Sequence, residues 1–199
     1  MNVRRYMHAE ITTVPPDSPL SVARDVMEEH GFGLLLICDP DGTLEGFITR
    51  AGLKEIKDWE QPIRRLSHRV QFSVSPSDTL EKAALIMLSN RLVLLPVVED
   101  GKLAGVLSQS ELLKGLTLGL GIGLEATRFC IRTRDGNADL YAVVDVLRRH
   151  GAHIVSLTRG CVGDEPSELI VRVQNVADKE QLRRDLETEL AGADDRTAD

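Results

Sequence analysis

The sequence has few cysteines, no excess of basic residues and no long hydrophobic run. Its three cysteines, Cys38, Cys130 and Cys161, are far apart and form no CxxC pair, which favours a reducing compartment over a disulfide framework. The net charge of −7 argues against a basic surface for nucleic acid. The longest apolar candidate, at residues 115–124, has only about half the length that a membrane span needs.

Motifs for catalysis, metal binding and secretion are missing as well. The chain contains no GxSxG, no P-loop and no GxGxxG, and none of its cysteines stands in an activating context. His150 and His153 straddle an expected helix end and strand start, which is poor spacing for a zinc site. The basic N-terminus is not followed by an apolar h-region. We therefore expect a cytoplasmic protein that is not an enzyme, binds no metal, and has neither a nucleic acid nor a membrane as partner.

What the sequence does contain is an internal repeat. With 199 residues, of which 42% are hydrophobic and 28% charged, the chain can form one large or two modest folded domains. Shifting the sequence by 60 positions, and by 59 after a one-residue deletion, superposes similar residues, so the first half is a tandem duplication. The matched pairs are Val14/Val74, Pro16/Pro76, Leu20/Leu80, Ala23/Ala83, Met27/Met87, Leu34/Leu94, Leu35/Leu95, Gly42/Gly101, Leu44/Leu103, Gly46/Gly105 and Leu53/Leu112.

Each copy is predicted to fold as strand, helix, strand, strand, helix. The β-prone runs "ITTV" and "QFSV" end at a proline. In copy one, Ser18 is the expected cap of the helix and Gly31 follows its last turn. In copy two, Asp78 and Glu81 have the spacing of a capping box. Two apolar runs across an Asp-Gly-type turn then predict a hairpin, and a second short helix follows it, "RAGLKEIK" or "QSELLKGL".

The pattern changes after Gly123. "EATRFCIRTRD", "AHIVSLTRG" and "SELIVRVQNV" are predicted strands, while "NADLYAVVDVLRRHG" and "DKEQLRRDLETEL" have helical periodicity. The resulting order, β-α-β-β-α, is a ferredoxin-like arrangement without its last strand. The residues expected to face inward from the two helices are Leu140, Val143, Val144, Leu147, Leu182, Leu186 and Leu190.

The duplicated half resembles a pair of CBS domains, the Bateman module, over roughly residues 5–115. The resemblance rests on the proline-ended first strand, the Ala-x-x-x-Met helix, the hairpin "LLPVVEDGKLAGVLS" and the closing Gly-x-x-Ser/Thr-x-x-acid motif. The segment "RTRDGNADLYAVVDVLRRHGAHIVSL" resembles an ACT domain, although Asn137 and Ala138 stand where that family has a Pro-Gly pair. Together the parts are similar to the acetoin-utilisation accessory protein family.

We therefore expect an α/β protein with two parts. A tandem CBS pair, each copy β-α-β-β-α, would occupy residues 1–58 and 59–116. A linker at residues 117–123 would lead to a ferredoxin-like, ACT-type β-α-β-β-α domain at residues 124–199, which ends in a short disordered tail.

The resemblance implies ligand sensing rather than catalysis. CBS pairs commonly bind AMP, ADP, ATP or S-adenosylmethionine between their copies, commonly form dimers, and pass ligand occupancy to a partner enzyme. Glu111 matches the family acid that accepts the two ribose hydroxyls, in charge-assisted hydrogen bonds. The matching nucleotide-binding residues are Thr12, Phe32, Gly33, Ser108, Ser110 and Glu111.

The first copy departs from this motif. Thr49 keeps the hydroxyl, but Ala51 and Gly52 stand where copy two has Ser110 and Glu111. The pseudo-symmetric cleft would therefore lack its ribose acceptor. The sequence predicts one competent and one degenerate site in each chain.

Each candidate residue also has a purely structural interpretation. Ser108 and Ser110 could cap the following helix, Glu111 could interact with the helix dipole, and Phe32 could belong to the core. For the whole protein, the alternative is a ligand-free assembly module with vestigial clefts that docks a metabolic enzyme. The intact "SQSE" favours a sensor, whereas Gly52 and the missing Pro-Gly turn favour the assembly module.

Overall fold

The computed structural model describes residues 1–133, 138–160 and 168–192. The chain divides into unit one, Met1–Gly115, and unit two, Leu116–Asp199. Asn137, Cys161 and the tail expected to be disordered lie outside the described residues.

Copy one of the repeat forms a three-stranded sheet and one helix. It contains β1 (Thr13–Val14), α1 (Leu20–His30), β2 (Leu34–Cys38) and β3 (Leu44–Thr49). β2 pairs with β1 in parallel and with β3 in antiparallel orientation. The second helix expected after the hairpin is only a 3-10 turn, Ala51–Leu53.

Copy two has the same order with a longer final helix. It contains α2 (Leu80–Asn90), the antiparallel hairpin β4 (Leu94–Glu99) and β5 (Lys102–Ser108), and α3 (Gln109–Gly119). α3 therefore includes the first residues of the expected linker at 117–123.

The first strand expected in copy two is wrong. In "QFSV" the pairing is a single parallel bridge between Val74 and Val97, and Gln71 and Ser73 are exposed. Pro76, two residues beyond that bridge, has no N–H with which to continue a ladder.

The expected N-terminal helix caps are also wrong, whereas Gly31 ends α1 as expected. The Ser18 side chain makes no hydrogen bond to the start of α1, because it lies one residue before the N-cap position. At α2 the cap is Thr79, whose Oγ1 accepts from Lys82 N at 3.1 Å. The Asp78 carboxylate instead accepts from Ser75 N at 2.8 Å and from Lys82 Nζ at 2.8 Å. Asp78 is thus used in the turn before the helix.

The two copies exchange their leading segments. Residues 1–8 precede the first strand of copy one but bind copy two, where Val3 N donates to Asp78 O at 2.8 Å. At the repeat-related positions, Ile63 N donates to Ser18 O at 2.9 Å. Each copy thus receives the segment that precedes the other, and the exchange ties both copies into unit one.

The two helices of the repeat bury the same face. In copy one, β1, α1 and the hairpin surround a core against which Phe32 and Trp59 also pack. The buried residues of this core are Val14, Leu20, Ala23, Met27, Leu35, Ile37, Ile48, Leu53 and Ile63. Repeat-related positions in copy two are buried as well, namely Val74, Leu80, Ala83, Met87, Leu95, Val97, Leu107 and Leu112.

Unit two has the element order expected from the sequence. It contains β6 (Thr127–Arg132), α4 (Ala138–Arg149), β7 (His153–Gly160), β8 (Glu168–Gln174) and α5 (Lys179–Gly192). The strands form an antiparallel sheet in the order β6-β8-β7.

The helices of unit two bury one side against the sheet. Leu182 and Leu186 are buried and Leu190 packs against the same core, as expected. On α4, Val143 and Leu147 are fully buried, as expected. Val144 was also expected to face inward but is only half-buried, and Val146 is fully buried instead.

Candidate functional site

Glu111 and Ser108 form a reciprocal pair at the start of α3. Glu111 Oε2 accepts from Ser108 N at 3.2 Å and also from Ser108 Oγ. Glu111 N donates to Ser108 Oγ at 3.4 Å. This is the geometry of a capping box, in which a hydroxyl and a carboxylate satisfy each other's backbone N–H groups. Ser108 and Glu111 therefore both stabilise the start of α3, whether or not they bind a ligand.

The other oxygen of Glu111 faces the exchanged leading segment. Oε1 lies 2.9 Å from His8 Nε2, and the two side chains are 22% and 64% exposed. The His8 backbone is fixed to β5, where its N–H donates to Val106 O at 2.9 Å and its carbonyl accepts from Val106 N at 2.9 Å. Glu111 thus lies where copy two meets the segment that leads into copy one.

Glu111 is an anionic acceptor at neutral pH. Burial opposes its ionisation, but the hydrogen bonds from Ser108 and His8 outweigh burial and hold the pKa of the carboxyl below its ordinary value. An ionised carboxylate can only accept hydrogen bonds. The position therefore suits a ligand that presents hydroxyl donors.

The close approach of the leading segments requires glycine in the Gly-x-x-Ser/Thr motif. A Cβ on Gly105 would lie 2.8 Å from His8 O and 2.9 Å from Met7 Sδ. At the matching position, a Cβ on Gly46 would lie 2.7 Å from His68 O. The first glycine of the motif thus makes room for the exchanged backbone.

The first copy keeps half of the capping arrangement. Thr49 Oγ1 accepts from Gly52 N at 3.2 Å, and Gly52 supplies no carboxylate. His68, the repeat partner of His8, instead packs against the Phe47 ring, with centroids 5.4 Å apart. An aromatic contact thus replaces the histidine–carboxylate contact of copy two.

Of the four remaining candidate residues, three lie far from this pair in the sequence. Thr12, half-buried, precedes β1, and Phe32 and Gly33 precede β2. The Phe32 ring stacks on His30, with centroids 5.1 Å apart. It also packs on the core of copy one, which agrees with the alternative that Phe32 is a core residue. A Cβ on Gly33 would meet nothing within 4 Å. Ser110 is exposed in the first turn of α3.

Sequence reasoning found the Ser108–Glu111 pair and missed His8. Of the six candidate residues, the hydrogen bonds within the described part of the chain join only Ser108 and Glu111. His8 and His68 align with each other in the repeat, which indicated that the two histidines occupy equivalent positions in the two copies. The exchange of segments that puts His8 beside Glu111 is visible only in the structure.

Within residues 1–133, 138–160 and 168–192, no group of three or more His, Cys, Asp or Glu side chains could hold a metal ion. His150 Nε2 lies 2.8 Å from Asp185 Oδ2 and so joins α4 to α5. In the part of the chain that the structure describes, no helix has the length and apolar character to cross a membrane.

The sequence matches a family model that covers more than half of the chain. The model, described as the CBS domain, matches residues 3–57 and 63–117. The chain therefore belongs to the CBS-domain family. Both matches lie in the duplicated half, so unit one is a tandem CBS pair.

Three known proteins illustrate the similarity. Inosine-5'-monophosphate dehydrogenase from Methanocaldococcus jannaschii is 28% identical over 106 residues, which are 53% of this chain but only 21% of that enzyme. The structure of CBSX2 in complex with AMP has 24% identity and a TM-score of 0.54, and covers 59% of this chain and 96% of its own. A structure described as an acetoin utilization protein (AcuB) from Vibrio cholerae has 23% identity and a TM-score of 0.56, and covers 64% and 98%. The two structural similarities establish the fold alone.

Proposed function

We propose that this protein is a non-catalytic regulatory module whose CBS pair binds an adenosine-containing nucleotide and signals to a partner protein. The candidate ligands are AMP, ADP, ATP and S-adenosylmethionine. The observation that carries the proposal is the anionic Glu111 carboxylate, placed beside the exchanged leading segment. Ribose presents two vicinal hydroxyl donors, which suit such an acceptor. The AMP bound to CBSX2, a protein of similar fold, supports the choice of ligand class.

The other candidate residues have roles consistent with this ligand. Ser110 is exposed in the first turn of α3, and its hydroxyl can donate to ribose or phosphate. Ser108 belongs to the same motif, but its hydroxyl proton is already donated to Glu111 Oε2. Thr12, Phe32 and Gly33 would contact the adenine. The open space around Gly33 suits the close approach of a flat ring.

We expect one competent site in each chain. Gly52 replaces the acid in the first copy, and the hydroxyl of Thr49 already accepts from Gly52 N. A ligand bound beside Glu111 would shift the protein from one arrangement of the two copies to another only if it bound one arrangement more tightly.

An exposed apolar surface on α2 supports a protein partner. Leu85 and Leu88 are 67% and 74% exposed, whereas the repeat-related residues on α1 are Asp25 and Glu28. Exposed apolar surface of this kind is typical of an interaction site. We propose a homodimer with a metabolic enzyme as its partner. Unit two, with its β-α-β-β-α order, is proposed as an ACT-type domain.

The alternative function is that of a ligand-free assembly module, located like the sensor in the cytoplasm. Its support is that Ser108 and His8 already satisfy Glu111 without a ligand. The apolar face of α2 would then dock a metabolic enzyme, and the clefts would be vestigial.

Calorimetric titration separates the two functions. Wild type, Glu111→Gln and the control Glu81→Gln, which removes a charge from the exposed first turn of α2, are titrated with the four ligands. We expect at least one ligand to bind wild type and the control equally, and Glu111→Gln about tenfold more weakly, as for loss of a charged hydrogen bond. A ligand at 100 times its dissociation constant also adds about 2.7 kcal/mol of stability. Absence of binding by all four ligands would select the assembly module.

A further inference from the structure

Glu111 has few acceptor positions left for a ribose. An ionised carboxylate offers about four such positions, two on each oxygen. Ser108 N–H and Ser108 Oγ–H use the two on Oε2. His8 Nε2, when it carries a proton, uses one on Oε1. One position remains, whereas two ribose hydroxyls require two.

We propose that His8 determines the sugar specificity of the nucleotide site. By holding Glu111 Oε1, His8 limits recognition of the sugar to one hydroxyl, so the site distinguishes ribose from deoxyribose only weakly. This inference rests on the proposed nucleotide binding at Glu111. Removal of the imidazole would free the second acceptor position, strengthen binding of the ribonucleotide and raise discrimination against the deoxy sugar.

The position of His8 is fixed by the fold rather than by a chance surface contact. Its backbone makes two hydrogen bonds to Val106, and Gly105 leaves room for the segment at that point. These hydrogen bonds hold the main chain beside Glu111, so a rotation of the exposed imidazole is the simplest way to release the carboxylate. His68 holds the same backbone position but contacts Phe47, so the histidine–carboxylate contact is particular to copy two.

The test compares matched ribo- and deoxyribonucleotides by calorimetry. AMP with 2′-deoxy-AMP, and ATP with 2′-deoxy-ATP, are titrated into wild type, His8→Ala, His8→Gln and the control His68→Ala. We expect the wild-type dissociation constants within each pair to differ by less than about threefold. In His8→Ala the ribonucleotide should bind about tenfold tighter, and discrimination should rise to about tenfold, as for one added hydrogen bond to a charged group.

The two further variants make the readout specific. His8→Gln retains an N–H donor and should keep the low discrimination of wild type, while His68→Ala should not change the ratio. Ribonucleotide binding with equal discrimination in wild type and His8→Ala would overturn the role of His8 and leave the proposed function intact. Binding in neither protein, or in His8→Ala alone, would overturn both, because the wild-type protein would then bind no nucleotide.

Discussion

Replacement of Gly105 by alanine tests the exchange of leading segments between the copies. The added methyl would lie 2.8 Å from His8 O and 2.9 Å from Met7 Sδ. Non-bonded carbon contacts are favourable at about 3.5–4.0 Å, so the leading segment would have to retreat by roughly 0.7 Å.

The cost of that displacement follows from the contacts it disturbs. Two backbone hydrogen bonds, each 2.9 Å, join His8 to Val106 beside Gly105. A hydrogen bond contributes about 1 kcal/mol net, and overpacking costs about 1–3 kcal/mol. If both hydrogen bonds are lost, we expect Gly105→Ala to lower the free energy of unfolding of unit one by about 3–5 kcal/mol.

Tryptophan fluorescence during urea unfolding can measure this loss in unit one alone. Trp59 is the only tryptophan in the chain, packs on the core of copy one and lies 4.7 Å, ring centroid to Cζ, from the Arg24 guanidinium. Gly52→Ala is the control, because its Cβ would meet Thr49 Oγ1 at an ordinary 3.5 Å. The control should stay within about 0.5 kcal/mol of wild type. A similarly small change in Gly105→Ala would refute the reasoning.

Two further predictions use the same fluorescence assay. Arg91 follows α2 with a φ of 53°, a left-handed conformation that costs a non-glycine residue about 1–2 kcal/mol. Because glycine would cost only about 0.5–1 kcal/mol in lost entropy, Arg91→Gly should raise the free energy of unfolding by about 0.5–1 kcal/mol. A decrease in the free energy of unfolding would contradict this. The pKa of Glu111 is lower in the folded protein than its ordinary value of 4.5, so its carboxylate stabilises the fold at neutral pH and loses this effect as pH falls below 4.5. The difference in unfolding free energy between wild type and Glu111→Gln should therefore shrink on acidification, and a constant difference would be evidence against the role assigned to Glu111.

The order of elements could be predicted because each depends on local patterns. The alternation in "SELIVRVQNV" predicted β8. The spacing of Val22, Ala23, Val26 and Met27 predicted one face of α1, on which Ala23 and Met27 are buried but Val22 is 39% exposed. Finer detail depends on competition between neighbours. Thr79 and Asp78 are both capable helix caps, and only the turn that engages Asp78 leaves the cap to Thr79.

The exchange of leading segments could not be predicted from the repeat. The alignment pairs His8 with His68 whether each leading segment packs on its own copy or on the other one. Either choice gives the same sequence pattern and requires only a short stretch of extended chain. The sequence therefore identified Glu111 as a candidate residue but could not predict its contact with His8.

The structure explains why the carboxylate occurs in only one copy and how its two roles can be separated. Glu111 completes a capping box at the start of the eleven-residue helix α3, whereas the motif with Gly52 is followed by a 3-10 turn of three residues. Because Glu111 caps the helix and is proposed to bind the ligand, its substitution is expected to alter both the stability of the protein and ligand binding. His8 contacts the other oxygen and takes no part in the capping box. Its substitution therefore changes the acceptor positions open to a ribose while the cap stays intact, which makes His8 the sharper probe of nucleotide binding.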